Sequence, residues 1–298
     1  MALMAEVADP KSDLKSDPKS VGPRIRMMRP HLTPLEAKVV DTVMGRRDFS
    51  HETALKEVAD AAGVSEAMVV KIAKKLGFSG YRDFRQNVVD YVRLSVAEMH
   101  DELAPDDTPR EIVNKVFRAS LQALEETLAI TDIDACERAA EFLAGAQQRD
   151  FYGVGGSAQI ARDVAHKFLR IGVRASVQDD AHMMAMSASV LGTHDVAVGF
   201  SHSGATLVTI EALQLARRNG ARTIAITNYL NSPITEAADV VLCSTSRNSP
   251  LLGENAAARI AQLTILDAIF VLVAQRNYKA AEANLVRTKA AVREKRKS

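Results

Sequence analysis

The sequence predicts two domains, an all-α domain followed by an α/β domain whose parallel sheet is flanked by helices. Three observations predict it. From about Arg24 to Leu103 the apolar residues recur at helical spacing between short loops, with no strand-like alternation. Further on, five short apolar runs alternate with helical stretches, the pattern of a parallel sheet with helices on both faces. Between them stands a strand, tight loop and helix in one phrase: Val196 to Phe200 is apolar, Ser201-His202-Ser203-Gly204-Ala205-Thr206 is mostly polar, and Leu207 to Arg218 is helical in pattern.

Composition bounds the classes. A chain of 298 residues suggests about two domains. With 47% hydrophobic and 25% charged residues it has material for a sizeable core, and a formal net charge of +1 leaves local charge to be read region by region. Two cysteines without C-x-x-C spacing argue against a disulfide framework or a zinc site and fit a reducing cytoplasm. No unbroken apolar run reaches the roughly 18 residues that suggest a membrane span. Residues 1–23, rich in Pro, Ser, Lys and Asp, read as a disordered tail rather than a signal peptide.

The first domain, taken as 24–100, opens with Thr33-Pro34-Leu35-Glu36, a helix start with Thr33 as cap, Pro34 at the first position and Glu36 at the third. That helix runs to about Met44. A second covers Thr53 to Ala61, a turn follows at Ala62-Gly63-Val64, and a third opens at Ser65 and ends at Gly77. Glycine in a short turn between two short helices predicts a helix-turn-helix. Val69, Ile72, Ala73 and Leu76 fall at i, i+3, i+4 and i+7 and face inward, which leaves Glu66, Ala67, Val70, Lys71, Lys74 and Lys75 outside. Residues 68–93 hold six Lys/Arg against two acids, a local basic surface suited to a DNA backbone. The plain alternative is a helical hairpin with a solvated lysine face.

Asp106 to Glu111 reads as a hinge, with Thr108 as cap and Pro109 at the first helical position, so 101–109 is taken as linker and 110–288 as the second domain. Helices over Pro109 to about Leu128 and Ile133 to Gly145 lead into strands near 151–154, 174–178, 196–200, 223–227 and 240–243. The stretch Glu254 to Arg276 is apolar on overlapping faces, as in a core helix or a subunit contact. The residues from 289 to 298 form a basic, solvated tail.

Two strand-to-helix loops carry the chemistry. The first backbone N–H groups of a helix lack intrahelical partners and its dipole makes that end partly positive, so an anion fits there. Gly204 permits close approach of the backbone, and the hydroxyls of Ser201, Ser203 and Thr206 can donate to phosphate oxygens. Ser203 or Thr206 acting only as a helix cap is the alternative. The second loop, Gly153-Val154-Gly155-Gly156-Ser157, again runs from a strand through glycines to a serine and a helix. It lacks the spacing of a dinucleotide fingerprint, and no G-K-[ST] phosphate loop is present.

The words GVGGSAQIARD, GFSHSGAT and RTIAITNYLNSPITEAADVVL resemble a sugar isomerase (SIS) domain over roughly residues 118 to 280. That resemblance implies a flavodoxin-like phosphosugar module, with Ser201, Ser203, Gly204 and Thr206 on the phosphate and Gly156 and Ser157 beside them. His202 falls where that family varies and is assigned no chemistry. ALKEVADAAGVSEAMVVKIAKKLGFSGYRDFR resembles the helix-turn-helix of RpiR/MurR-type transcriptional regulators, which carry a C-terminal SIS domain in this order. Ser65, Glu66, Ala67, Val70, Lys71, Lys74, Lys75 and Tyr81 are then the expected DNA-contacting residues. Met68 and Lys71 depart from the Thr and Arg frequent in that family, which leaves the operator sequence open.

The expectation is a regulator, a repressor by analogy, of carbohydrate genes. It would bind a double-stranded DNA operator as a homodimer or homotetramer in the cytoplasm, release it on binding a phosphorylated sugar or sugar acid, and need no cofactor, metal or membrane. Glu254 is expected among the effector-binding residues. A phosphosugar isomerase or lyase is the alternative. It would need a positioned acid and base, for which Glu254, His182, His202 and Asp180 are the candidates. A regulator whose SIS domain serves only for dimerisation is a third reading.

Overall fold

The structure is a computed structural model and describes residues 18–46, 48–96, 103–246, 255–293 and 295. The chain divides into two compact units, Met1–Ile130 and Thr131–Ser298.

The first unit is all helix: α1 (Val21–Met28), α2 (Pro34–Gly45), α3 (Leu55–Ala62), α4 (Glu66–Lys75), α5 (Tyr81–Val96) and α6 (Pro109–Ile130), with 3-10 turns at Pro18–Ser20 and Arg29–His31. The start of α2 is a full capping box: Glu36 N donates to Thr33 Oγ1 and Thr33 N donates to Glu36 Oε2 at 2.8 Å. Gly63 ends α3 at φ +69°, a conformation that glycine adopts without penalty. Ser65 Oγ then accepts from Met68 N and opens α4. Val69, Ile72 and Ala73 are fully buried and Leu76 nearly so, packed with Val39, Val43, Val58 and Phe84 in the core of this unit.

Three sequence expectations change here. Residues 18–23, read as disordered, are helical, and Val21 and Ile25 one turn apart are buried in the core; the tail reading for residues 1–17 lies outside the described residues. Thr53 precedes the helix that begins at Leu55, and its hydroxyl accepts from Ser50 N instead. The helix α6, assigned from sequence to the second domain, belongs to the first compact unit. It is held there by Lys19–Glu125 at 2.8 Å and by an Arg26–Glu126 pair. The side away from Glu126 carries an exposed apolar row, Val113, Phe117, Leu121 and Leu128.

The second unit holds five parallel strands, β1 (Arg149–Tyr152), β2 (Ser176–Gln178), β3 (Val196–Phe200), β4 (Arg222–Thr227) and β5 (Val240–Cys243), in the order β2-β1-β3-β4-β5. All five residues of β3 and all four of β1 are buried, as expected of strands covered on both faces. The helices are α7 (Ile133–Gly145), α8 (Gly156–Arg170), α9 (Ala181–Val190), α10 (Leu207–Arg218), the short α11 (Pro233–Glu236), α12 (Asn255–Arg276) and α13 (Tyr278–Arg293). One face of the sheet carries α7, α8 and α12, around Phe151, Phe168 and Phe200; the other carries α9, α10 and α11, around Tyr152, Met184 and Leu213. Each such buried side chain contributes about 1.5–3 kcal/mol by leaving water.

The helix α12 is long and apolar enough to cross a membrane by composition alone. Here it is a core helix: Ile265, Leu266, Ile269 and Val273 pack into the cluster with α7 and α8. The region read as a basic tail is helical as far as Arg293, with Lys289 and Arg293 on the exposed side of α13; residues 296–298 lie outside the described ones. Both cysteines are buried thiols. Burial pushes Cys136 on α7 up to about 11 and Cys243 at the end of β5 up to about 12.

Candidate functional site

The helix-turn-helix brings one group of the expected residues to a common surface. Ser65, Glu66, Ala67, Lys71, Lys74 and Lys75 are exposed on α4 and Val70 is half-buried. Two of the residues expected on DNA are otherwise engaged. Tyr81 is buried, with its hydroxyl donating to the Thr53 carbonyl at 2.8 Å, so it fastens α5 to the loop before α3 and is not a groove-facing side chain. Lys75 Nζ lies 2.7 Å from Glu36 Oε2 and 3.1 Å from the His31 carbonyl. The ammonium, with the Thr33 N–H, holds the Glu36 carboxyl below its ordinary range. Its first role is to tie α4 to the start of α2. The sequence reading missed a concavity on this unit, about 350 Å³, lined by His51, Arg82, Arg85 and Gln86. Arg85 there donates to the Thr53 carbonyl at 2.9 Å, while Arg82 and Gln86 are exposed.

In the second unit the sheet order decides where a ligand can sit. The neighbouring strands β1 and β3 send their helices, α8 and α10, to opposite faces of the sheet, and a crevice opens at the carboxyl ends of the strands at such a switch point. The two serine loops follow these two strands. Between them lies a cavity of about 320 Å³ lined by Val154, Gly156, Ser157, Ile160, His202, Ser203, Thr206, Arg259 and Gln262.

The hydroxyls around this cavity are not spent on capping. Thr206 occupies the cap position of α10 but makes no side-chain cap bond, and its Oγ1 instead lies 2.9 Å from Ser201 Oγ. Ser203 Oγ accepts from Ala205 N at 3.2 Å, which leaves its hydroxyl hydrogen to point elsewhere. The helix α8 has Gly155 at its cap position and likewise no side-chain cap. Away from the cavity, α7 and α9 are capped by Asp132 and Asp180 in the ordinary way.

Two residues expected on the phosphate are displaced. Ser201 is buried beside Thr206 and lies outside the cavity wall, so it orients that hydroxyl. Gly204 also stands back from the cavity. Its φ is +64°, and a Cβ there would lie 1.9 Å from Ser232 Oγ, so the glycine lets the loop pack on Ser232 rather than on a ligand. Glu254 lies outside the described residues. Asp180 is used as the cap of α9, and His182 is exposed away from the cavity wall.

His202, to which sequence assigned no chemistry, does line the cavity, with its ring edge-on to Tyr229 at 6.3 Å. Arg259 and Gln262 come from α12, far along the chain. They lie in the stretch Ala258 to Val273, which resembles the closing helix of the SIS family, but that resemblance gave them no role, and only the fold brings them here. Gln262 Nε2 donates to Asn228 Oδ1 at 3.2 Å, which fixes the amide against the end of β4.

Comparison with known proteins bears on both units. Residues 19–95 match the helix-turn-helix domain of the rpiR family and residues 142–272 match the SIS domain. Over 277 residues the chain is 46% identical to the HTH-type transcriptional regulator RpiR of Escherichia coli (strain K12), covering 92% of this chain and 94% of that one. Its fold is like that of the Vibrio vulnificus NanR protein complexed with ManNAc-6P, with a TM-score of 0.60 at 24% identity over 93% of this chain and 100% of that one. It is also like the sugar isomerase domain of an RpiR transcription factor from Sphaerobacter thermophilus, with a TM-score of 0.55 at 25% identity over 60% and 99% of the two chains. Similarity of this extent to a regulator, spanning both units in the same order, identifies the chain as a member of the RpiR family of HTH-type transcriptional regulators, a DNA-binding protein with a SIS domain.

Proposed function

We propose that this regulator represses genes of carbohydrate metabolism and lets go of its operator when a phosphorylated sugar or sugar acid fills the cavity between the two serine loops. One observation carries the reading: Ser157, Ser203 and Thr206 converge on one cavity at two helix starts that lack side-chain caps. Hydroxyl donors and helix amino ends together suit a phosphate. The isomerase reading has less support, because the described wall of the cavity holds no carboxylate to share proton transfer with His202. Work on DNA also argues for the cytoplasm as its place.

The test is a gel-shift titration of the promoter DNA with a panel of sugar phosphates, ManNAc-6P among them. The Ser157→Ala, Ser203→Ala double variant removes two donors to a charged group, at roughly 1.5–3 kcal/mol each. Its operator affinity without effector should equal that of the wild type, while its response needs at least about 100-fold more effector. A double variant that answers like the wild type would place the effector elsewhere.

A helix-turn-helix of this size touches few base pairs, so operator reading calls for two copies on half-sites about 10 bp or a multiple apart. We assign the second copy to the exposed row Val113, Phe117, Leu121 and Leu128 on α6, whose burial would remove large apolar side chains from water. Phe117→Asp with Leu121→Asp should turn a dimer into a monomer in sedimentation velocity and weaken operator binding. An unchanged sedimentation coefficient would move the interface to another face.

A further inference from the structure

Arg259 stands on the first turns of α12, and its guanidinium lies against the start of α8. A Cβ built at Gly156 would lie 2.0 Å from Nη2 and 2.9 Å from Cζ of Arg259, so the cation rests on the α-carbon of the first residue of that helix. That position is electrostatically adverse. A helix amino end carries about +0.5 of an elementary charge, and a cation there is repelled where an anion would be held. Gly155 offers no side-chain acceptor, and no carboxylate among the described residues lies beside Arg259. An exposed arginine is free to swing into water, yet this one lines the same cavity as Ser157, Ser203 and Thr206.

We infer that Arg259 is the residue by which the cavity distinguishes a phosphorylated ligand from a neutral sugar; this rests on the reading of the cavity as a phosphosugar site. Apart from Arg259, the described wall carries no permanent charge: Ser157, Ser203, Thr206 and Gln262 would also accept hydrogen bonds from a sugar hydroxyl. A phosphate set between the guanidinium and the first turn of α8 converts two repelling positive ends into two partners of one anion. The planar fork of arginine can meet two phosphate oxygens at once, which a lysine cannot. Gly156 belongs to this arrangement, since any side chain there would displace the guanidinium.

The experiment uses the full-length protein and inorganic phosphate as probe, against chloride at equal ionic strength, with the melting temperature as readout. Ligand binding to the folded state raises it. The wild type should gain stability with phosphate. Arg259→Ala should lose most of that gain, with an apparent phosphate affinity about 10-fold or more weaker, and Arg259→Lys, which keeps the charge without the fork, should fall between. In phosphate-free buffer Arg259→Ala should melt no lower than the wild type, because a like charge has left the helix start.

If Arg259→Ala keeps the phosphate gain while the Ser157→Ala, Ser203→Ala variant loses it, the loops hold the anion unaided; the inference then fails and the cavity reading stands. If both keep it, both fail. A lower melting point for Arg259→Ala without phosphate, restored by Arg259→Lys, marks a structural arginine and also overturns the inference.

Discussion

Gly204→Ala should give a regulator that still binds its operator and no longer answers its effector. The methyl group would lie 1.9 Å from Ser232 Oγ, 2.3 Å from Ser232 Cβ and 2.9 Å from Thr227 Oγ1. Ser232 cannot turn away easily, since it is buried and its hydroxyl donates to the Tyr229 carbonyl at 2.7 Å. The backbone at 204 is also fixed from both sides: its N–H donates to the Ser201 carbonyl at 3.0 Å, and its carbonyl accepts from Ile234 N at 2.9 Å. The left-handed φ adds roughly 1–2 kcal/mol for a residue with a Cβ, and the clash adds about 1–3 kcal/mol of overpacking. The loop must shift, and Ser203 and Thr206 shift with it. A fall in melting temperature together with a flat effector titration is the expected result. Adding Ser232→Gly should recover the part due to the clash with Ser232 and leave the parts due to φ and to the Thr227 hydroxyl. A Gly204→Ala protein as stable and as responsive as the wild type would refute this account of the loop.

The second large effect separates three lysines of one helix. Lys71 and Lys74 are exposed on α4 and are free of any ion pair with the described residues. Their joint replacement by alanine should weaken operator binding by about 100-fold at moderate salt, at roughly 1–3 kcal/mol for each such residue. For each DNA phosphate that a lysine no longer neutralises, the slope of log affinity against log salt should become shallower by about 0.9. Lys71→Ala alone should relax base preference as well. Lys75→Ala should behave differently, because its partner is Glu36. Its expected effect is on stability, on the order of 1 kcal/mol for a half-buried pair. The pH dependence carries the sign. With Glu36 held below its ordinary range, the pair stabilises the fold above the unfolded carboxyl pKa, and the contribution disappears as pH falls through the lowered value. Lys75→Ala should therefore flatten the acid limb of the stability curve. Equal weakening of DNA affinity in all three single variants, with no change in stability for any, would contradict the division.

What the sequence showed and hid follows from how local each feature is. The box at Thr33 to Glu36, the cap at Ser65, the turn at Gly63 and the inward row Val69 to Leu76 depend on neighbours a few residues away, and all were legible. The three strands Val196–Phe200, Arg222–Thr227 and Val240–Cys243 were legible for the same reason. The strand β1, read near 151–154, lies at Arg149–Tyr152, where Arg149 and Asp150 hide it from an apolar count, and β2, read near 174–178, is only Ser176–Gln178. The helix Val21–Met28 was hidden because its stabilisation is tertiary. Gly22 lies so close to Tyr91 that a Cβ there would meet the ring at 2.1 Å, and composition cannot foresee such an approach. In the candidate site the residue types were right and some roles were not. Ser201 and Gly204 belong to the serine motif yet stand behind the wall, while Arg259, in a helix read only as core or subunit contact, stands in it. Tyr81 lies within the segment that resembles the helix-turn-helix of the family, which favoured a DNA role; its burial and its bond to the Thr53 carbonyl give it a packing role.

The two buried thiols have a practical consequence. At neutral pH a thiol pushed up to about 11 or about 12 holds almost no thiolate, the form that reacts with maleimides and other electrophiles. The native chain is therefore silent to such reagents while it stays folded. An Ala67→Cys substitution on the exposed side of α4 would introduce one reactive sulfur without removal of Cys136 or Cys243. A fluorophore attached there would report on the recognition helix as operator and effector are added.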